Sequence, residues 1–229
     1  MNKPISLNNT GGGLTEENVD IVASTLDEGK SREQSFRDGV LKRDDNRCVI
    51  TGEMDLSHWE ELGSPDDEDT VLVEAAHIIP FSYGSRENSR SVIYPWNSSY
   101  ASMLIKTNGP PYEKAKIWEV LYRWFPSVRQ VGLTAENIDA VSNGISLRDS
   151  LHIRFGAFSL AFKPTDTANV YEIKTFKNFP AKEKVLLLPK DGLVEFKQAN
   201  DAQDLRLPER ALLECHYSVA EILNASGLG

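Results

Sequence analysis

Cysteine is scarce in this chain, with only Cys48 and Cys215 among 229 residues. Neither belongs to a Cys-x-x-Cys pair, which excludes a disulfide framework and leaves both expected as buried thiols of a reducing compartment. Apolar runs long enough to cross a bilayer, about 18 residues, are lacking too. The opening Met1-Asn-Lys-Pro-Ile-Ser-Leu7 has no apolar core of the kind a secretory signal carries. No membrane partner is expected, and the expected location is intracellular, in the nucleus or cytoplasm. Basic residues are also in deficit: 25 Lys and Arg face 34 Asp and Glu, a net charge of −9. A uniformly acidic surface would argue against nucleic acid as a partner. The acid is unevenly spread, however. Residues 1–70 hold 7 basic and 17 acidic side chains (net −10), residues 71–163 hold 10 and 7 (net +3), and the last 66 hold 8 and 10 (net −2). The acidic excess lies mostly outside the middle segment, which carries the motifs described below.

What is present is the composition of an ordinary globular domain, 40% hydrophobic and 26% charged. Residues 1–13, ending in Gly11-Gly-Gly13, read as disordered, and residues 14–229 read as a single domain. Thr15 is placed to cap a helix through about Leu26. Ser31 and Gln34 have capping-box spacing for a second helix, with Phe36, Val40 and Leu41 as its apolar stripe and Arg32, Arg37, Lys42 and Arg43 on its solvated face. Arg47-Cys-Val-Ile-Thr-Gly52 predicts a short strand and a glycine turn, Ser64–Asp69 an exposed acidic loop containing no calcium-binding pattern, and Val71–Ala75 a buried strand. Residues 81–111 read as a long loop, and Tyr112–Phe125 as an amphipathic helix with Ile117, Trp118, Leu121, Trp124 and Phe125 on one face. Ile145–Leu147 predicts a brief strand, followed by a helix that Asp149 or Ser150 caps and Gly156 ends. Phe158–Phe162, Val170–Ile173, Val185–Leu188 and Leu193–Phe196 predict four strands of an antiparallel sheet. Pro208 opens a closing helix with Leu212, Cys215, Val219, Ile222 and Leu223 at helical spacing.

Two distant stretches carry chemistry: Glu74-Ala-Ala-His-Ile-Ile-Pro80 and Asn143-Gly-Ile-Ser-Leu-Arg-Asp-Ser-Leu-His-Ile-Arg-Phe155. They offer a histidine at a strand end (His77), an asparagine in a turn (Asn143) and a histidine on a helix (His152). Phosphodiester hydrolysis needs a base for the attacking water and positive charge at the phosphate and leaving oxygen. A neutral histidine suits the first task, and a hard cation held by oxygen or imidazole ligands suits the second.

Ala76-His-Ile-Ile-Pro80, Asn143-Gly-Ile-Ser-Leu147 and Leu151-His-Ile-Arg-Phe155 resemble the three motifs of the HNH endonucleases. The likeness extends to fungal HNH-domain proteins, through the insert with its Trp-rich helix, the Phe155–Phe162 segment and the closing Leu213-Glu-Cys-His-Tyr217. It covers about residues 34 to 227. The resemblance implies an α+β fold: a ββα-metal core over about 47–163, a helical insert over about 81–142, a supporting antiparallel sheet and a C-terminal helix. It implies that His77 is the general base, that Asn143 braces the turn and orients the base or joins the metal shell, and that His152 is a metal ligand. The family cation is usually Mg²⁺, with Mn²⁺, Ni²⁺ or Zn²⁺ also found in such sites.

Two departures stand out. Many members carry Asp or His immediately before the base, where this chain has Ala76, and many bacterial members carry Asp where it has Gly156. Strand alternation puts Glu74 on the face of Ala76, and Asp149 lies one helical turn before His152, so these two are the candidate carboxylate ligands. Arg148 and Arg154 are candidate phosphate contacts, while His58, in a loop, and His216, on the closing helix, are expected to be structural. The expected activity is metal-dependent hydrolysis of DNA, with RNA as the other candidate nucleic acid. The alternatives are a catalytically impaired HNH-fold module that binds nucleic acid or protein, and an interaction protein whose acidic N-terminal region recruits a partner.

Overall fold

The computed structural model describes residues 32–80, 82 and 111–227, apart from the side chains of residues 111–114. The chain divides into two units, residues 1–34 and 35–229, and the description below is of the second. The disordered segment and helix expected within residues 1–26, the Ser31 cap and nearly all of the loop expected at 81–111 lie outside the described residues.

Within this unit helix α1 covers residues 35–43 and buries Phe36, Val40 and Leu41, the stripe expected of it. Arg43 does not lie on the solvated face; it is 0% exposed. Position 43 is three residues beyond Val40 and seven beyond Phe36, which returns it to the apolar stripe. Its guanidinium is fully engaged. Nε and Nη2 donate to the two Asp44 carboxylate oxygens at 2.7 Å, Nη1 donates to the Val141 carbonyl at 2.8 Å, and Nη2 donates to the Gly144 carbonyl at 2.9 Å. Asp44 Oδ2 in turn accepts the Ser146 amide at 2.9 Å. A buried ion pair of this kind persists only because every polar atom is satisfied.

Residues 47–52 form a turn rather than the expected strand. Gly52 adopts φ 75° and donates its amide to the Cys48 carbonyl at 2.8 Å, so the chain reverses before a ladder can extend. Only Arg47 bridges to Met54. Strand β1 (Met54–Asp55) leads into α2 (Leu56–Glu61), which carries His58 on a helix instead of a loop. The loop beyond α2 returns to β2 (Thr70–Val71), parallel to β1, and then to β3 (Val73–His77). The acidic loop is tied down by Glu68, which takes a bidentate contact from Arg47 at 2.7 and 2.8 Å.

Helix α3 (Pro111–Trp124) buries Trp118 and Leu121, but Trp124, expected on the same face, is 73% exposed. Phe125, four residues after Leu121, packs against the core instead, and Pro126 opens the short α4 (Pro126–Gln130). A 3₁₀ turn (Val141–Asn143) leads into β4 (Gly144–Arg148), which is followed without a loop by α5 (Asp149–Gly156). Arg148 occupies the N-cap position of α5, and Asp149 lies in its first turn.

Strands β5 (Leu160–Pro164), β6 (Val170–Thr175) and β7 (Leu193–Glu195) make an antiparallel sheet in that order. The strand expected at Val185–Leu188 is instead part of helix α6 (Ala181–Leu187), which leaves Val185 81% exposed. Pro180 precedes it, and Ala181-Lys-Glu-Lys184 are strong helix formers, so local propensity overrides a short apolar run. Helix α7 (Arg210–Ala225) packs on β5, burying Leu212, Cys215 and Leu223 while Ile222 faces outward. The fold is thus α+β, and the core joins Ile145 and Leu147 of β4, Leu151 and Phe155 of α5, Phe162 of β5 and Leu213 of α7.

Both cysteines are free and buried, and burial pushes the Cys215 thiol up to about 12, which makes it unreactive. His216 is structural, as expected. It stacks on Phe155 (ring centroids 3.8 Å apart) and on Phe158 (4.8 Å), and its Nε2 meets the Phe155 carbonyl at 3.2 Å. Burial lowers its pKa from 6.5 to about 3, against a smaller opposing effect of that carbonyl. Between these values the unfolded chain binds the proton that the folded chain refuses, so stability is full above pH 6.5 and is lost as pH falls towards 3. Denaturant titration should show about 2 kcal/mol less stability at pH 5 than at pH 7 from this group. A His216→Gln variant should flatten that slope whatever its absolute stability.

Candidate active site

Strands β3 and β4 pair antiparallel with the register Val73–Arg148, Glu74–Leu147, Ala75–Ser146, Ala76–Ile145 and His77–Gly144. Helix α5 packs against both strands. The two motif-bearing stretches therefore form one ββα unit. The fit between α1 and β4 requires glycine at 144: a Cβ there would stand 2.5 Å from Val40 Cγ2 and 2.7 Å from Phe36 Cζ.

Asn143 is 0% exposed and its amide hydrogen-bonds to backbone. Its Oδ1 accepts the Ile79 amide at 2.8 Å, and its Nδ2 donates to the carbonyls of Ile79 (3.0 Å) and Ile138 (2.9 Å). Its own carbonyl accepts the Ile78 amide at 2.8 Å. This side chain clamps the segment just after His77 to the turn that precedes β4. It has the geometry of a brace.

The remaining groups come together as two histidine–carboxylate pairs. His77 Nε2 lies 3.1 Å from Asp139 Oδ1, with side-chain exposures of 14% and 19%, and the imidazole stacks on Phe36 at a centroid distance of 3.8 Å and 15° between planes. Across β3 and α5, His152 Nδ1 hydrogen-bonds Glu74 Oε2. That hydrogen bond holds the Glu74 carboxyl below its ordinary range, with the charges of His152 and Arg37 adding and burial opposing. Glu74 is thus ionised at neutral pH, as a cation ligand must be. His77 and Glu74 are three residues apart on β3, about 10 Å of strand.

Asp149 does not join either pair; its Oδ1 accepts the amide of Ser150 at 2.6 Å. Arg148 Nη1 donates to both Glu53 carboxylate oxygens at 2.7 and 2.8 Å, and Arg154 makes a bidentate contact with Glu183 through Nε and Nη2 at 3.0 and 2.9 Å. The Glu183 hydrogen bond raises the Arg154 pKa further. Both arginines therefore serve local ion pairs in this structure. Sequence reasoning missed Asp139 and the stacking of Phe36 on His77. Neither has a local signal, since Asp139 lies in an ordinary polar turn 62 residues from His77.

Among the described residues, no three His, Cys, Asp or Glu side chains group as a metal cage. The Glu74–His152 pair is a two-donor set. Such a set suits a hard cation that retains several waters and takes phosphate oxygens from substrate. The residues present fit a hard divalent cation.

A family model described as HNH endonuclease matches residues 48–163. The matched segment begins at the turn before β1 and ends in β5, so it takes in both pairs and the whole ββα unit. No curated protein and no solved structure matches the chain.

Proposed function

This chain belongs to the HNH endonuclease family, and we propose that it hydrolyses DNA phosphodiester bonds, with His77 as general base and a divalent cation held by Glu74 and His152. The observation that carries the proposal is the Glu74–His152 pair across β3 and α5. It supplies the carboxylate that Ala76 cannot, from the next position on the same strand face.

In-line displacement puts the attacking water and the leaving oxygen on opposite sides of phosphorus. The base and the cation ligands are then expected as separate groups, as His77 and the Glu74–His152 pair are. His77 takes a proton from water as the new P–O bond forms. Glu74 and His152 hold the cation, which when bound supplies positive charge at the scissile phosphate and leaving oxygen. Asn143 keeps the base segment and the β4 turn in fixed relation.

The test is nicking of supercoiled plasmid by the purified protein. Cleavage is expected with Mg²⁺ or Mn²⁺ and not with EDTA. Glu74→Gln or His152→Ala should raise the cation concentration needed for half-maximal rate about 10- to 100-fold, the range seen when metal-site partners are lost. Salt-sensitive DNA binding without cleavage by any divalent cation would favour the second reading, a binding module on an impaired site. Burial of Ala76, which has no donor atom, is the observation behind that reading.

A further inference from the structure

We propose that Asp139 is a positioning residue for His77: it accepts the Nε2–H of the imidazole and makes Nδ1 the nitrogen that receives the proton from water. The inference rests on the nuclease reading and concerns how its base is held.

An ionised carboxylate only accepts hydrogen bonds, so the 3.1 Å contact between Asp139 Oδ1 and His77 Nε2 requires the proton on Nε2. In a neutral imidazole the lone pair then lies on Nδ1. The ring has little freedom to turn away, because Phe36 stacks on it nearly parallel, at 15°. The carboxylate is equally well fixed. Its turn is closed by Ala140 N donating to Asn137 O at 2.9 Å and Asn143 N donating to Ala140 O at 2.7 Å. Asn143 Nδ2 holds the Ile138 carbonyl on one side, and its Oδ1 holds the Ile79 amide on the other. One buried side chain therefore ties together the backbone that carries the base and the backbone that carries its carboxylate.

In the reaction a water O–H bond breaks and its proton passes to Nδ1 of His77. The water oxygen bonds to phosphorus as the bond from phosphorus to the leaving oxygen breaks, and that oxygen keeps the electron pair and takes a proton from solvent. The imidazolium so formed carries its positive charge beside the Asp139 carboxylate, in a partly buried setting where the attraction is weakly screened. Asp139 touches neither water nor phosphate in this scheme. It acts through His77.

The experiment uses the full chain. Supercoiled plasmid with Mg²⁺ is cleaved by wild type, Asp139→Asn and Asp139→Ala, with kcat and KM measured separately. Proton NMR of the metal-free proteins follows the ring N–H of His77, identified by its absence in His77→Ala. Expected are a kcat lowered about 10- to 100-fold in Asp139→Asn with KM within about twofold, and a protected ring N–H signal in wild type that Asp139→Ala loses. An active wild type with unchanged kcat in both variants overturns the inference and leaves the nuclease reading intact. An inert wild type overturns the nuclease reading and the catalytic part of the inference with it. A ring N–H signal unaffected by Asp139→Ala overturns the pairing itself, whatever the activity.

Discussion

Replacing His77 with alanine should lower plasmid cleavage by about 10²- to 10⁴-fold, the usual contribution of a positioned general base. The loss should appear in kcat, because in the proposed reaction the imidazole acts on water during bond formation and contributes little to holding DNA. Stability should change little. The ring gives up its stacking on Phe36 and its hydrogen bond to Asp139, together about 1–2 kcal/mol. For a unit of this size that lowers the melting temperature by about 2–8 °C. Cleavage by folded His77→Ala at the wild-type rate would remove His77 from the chemistry.

A second large effect is expected at a residue with no part in the chemistry, Arg43. Arg43→Met keeps much of the volume and the apolar stem but removes the guanidinium. Asp44 is then a buried carboxylate with one remaining partner, the Ser146 amide, and the carbonyls of Val141 and Gly144 lose a donor. Breaking a buried pair in this way costs about 3–5 kcal/mol, or a fall in melting temperature on the order of 10 °C. Because Gly144 pairs with His77 in the strand register, cleavage should weaken as well. Adding Asp44→Asn should recover part of the stability by removing the unpaired charge. If Arg43→Met melts with the wild type, the guanidinium does not anchor α1 to β4.

Much of the site was legible because its chemistry is local. The strand end at His77, the turn at Asn143 and the helix carrying His152 each follow from a few neighbouring residues, and strand alternation brought forward Glu74, beside Asp149, as a candidate carboxylate once Ala76 proved unable to serve. The same logic failed where a residue's surroundings depend on distant chain. Arg43 looked like one more charge on a solvated helix face, although its periodicity with Phe36 and Val40 already placed it inward. Val185–Leu188 looked like a strand because an apolar run of four does not distinguish strand from helix. Asp139 gave no sign, since a polar turn with an aspartate is common and its partner lies 62 residues away.

The sequence by itself determined the family-type motifs, their order, and the residue types able to activate water and hold a hard cation. These are properties of short segments, set by propensity, alternation and side-chain chemistry. Only the tertiary structure decided which groups meet. It joined Glu74 to His152, assigned Asp139 to His77, committed Arg148 and Arg154 to local carboxylates and left Asp149 outside both pairs. A hydrophobic period records which face of an element is buried but not against what. The partners of a charge are fixed by the closure of loops tens of residues long, and that information is carried by the packed core as a whole.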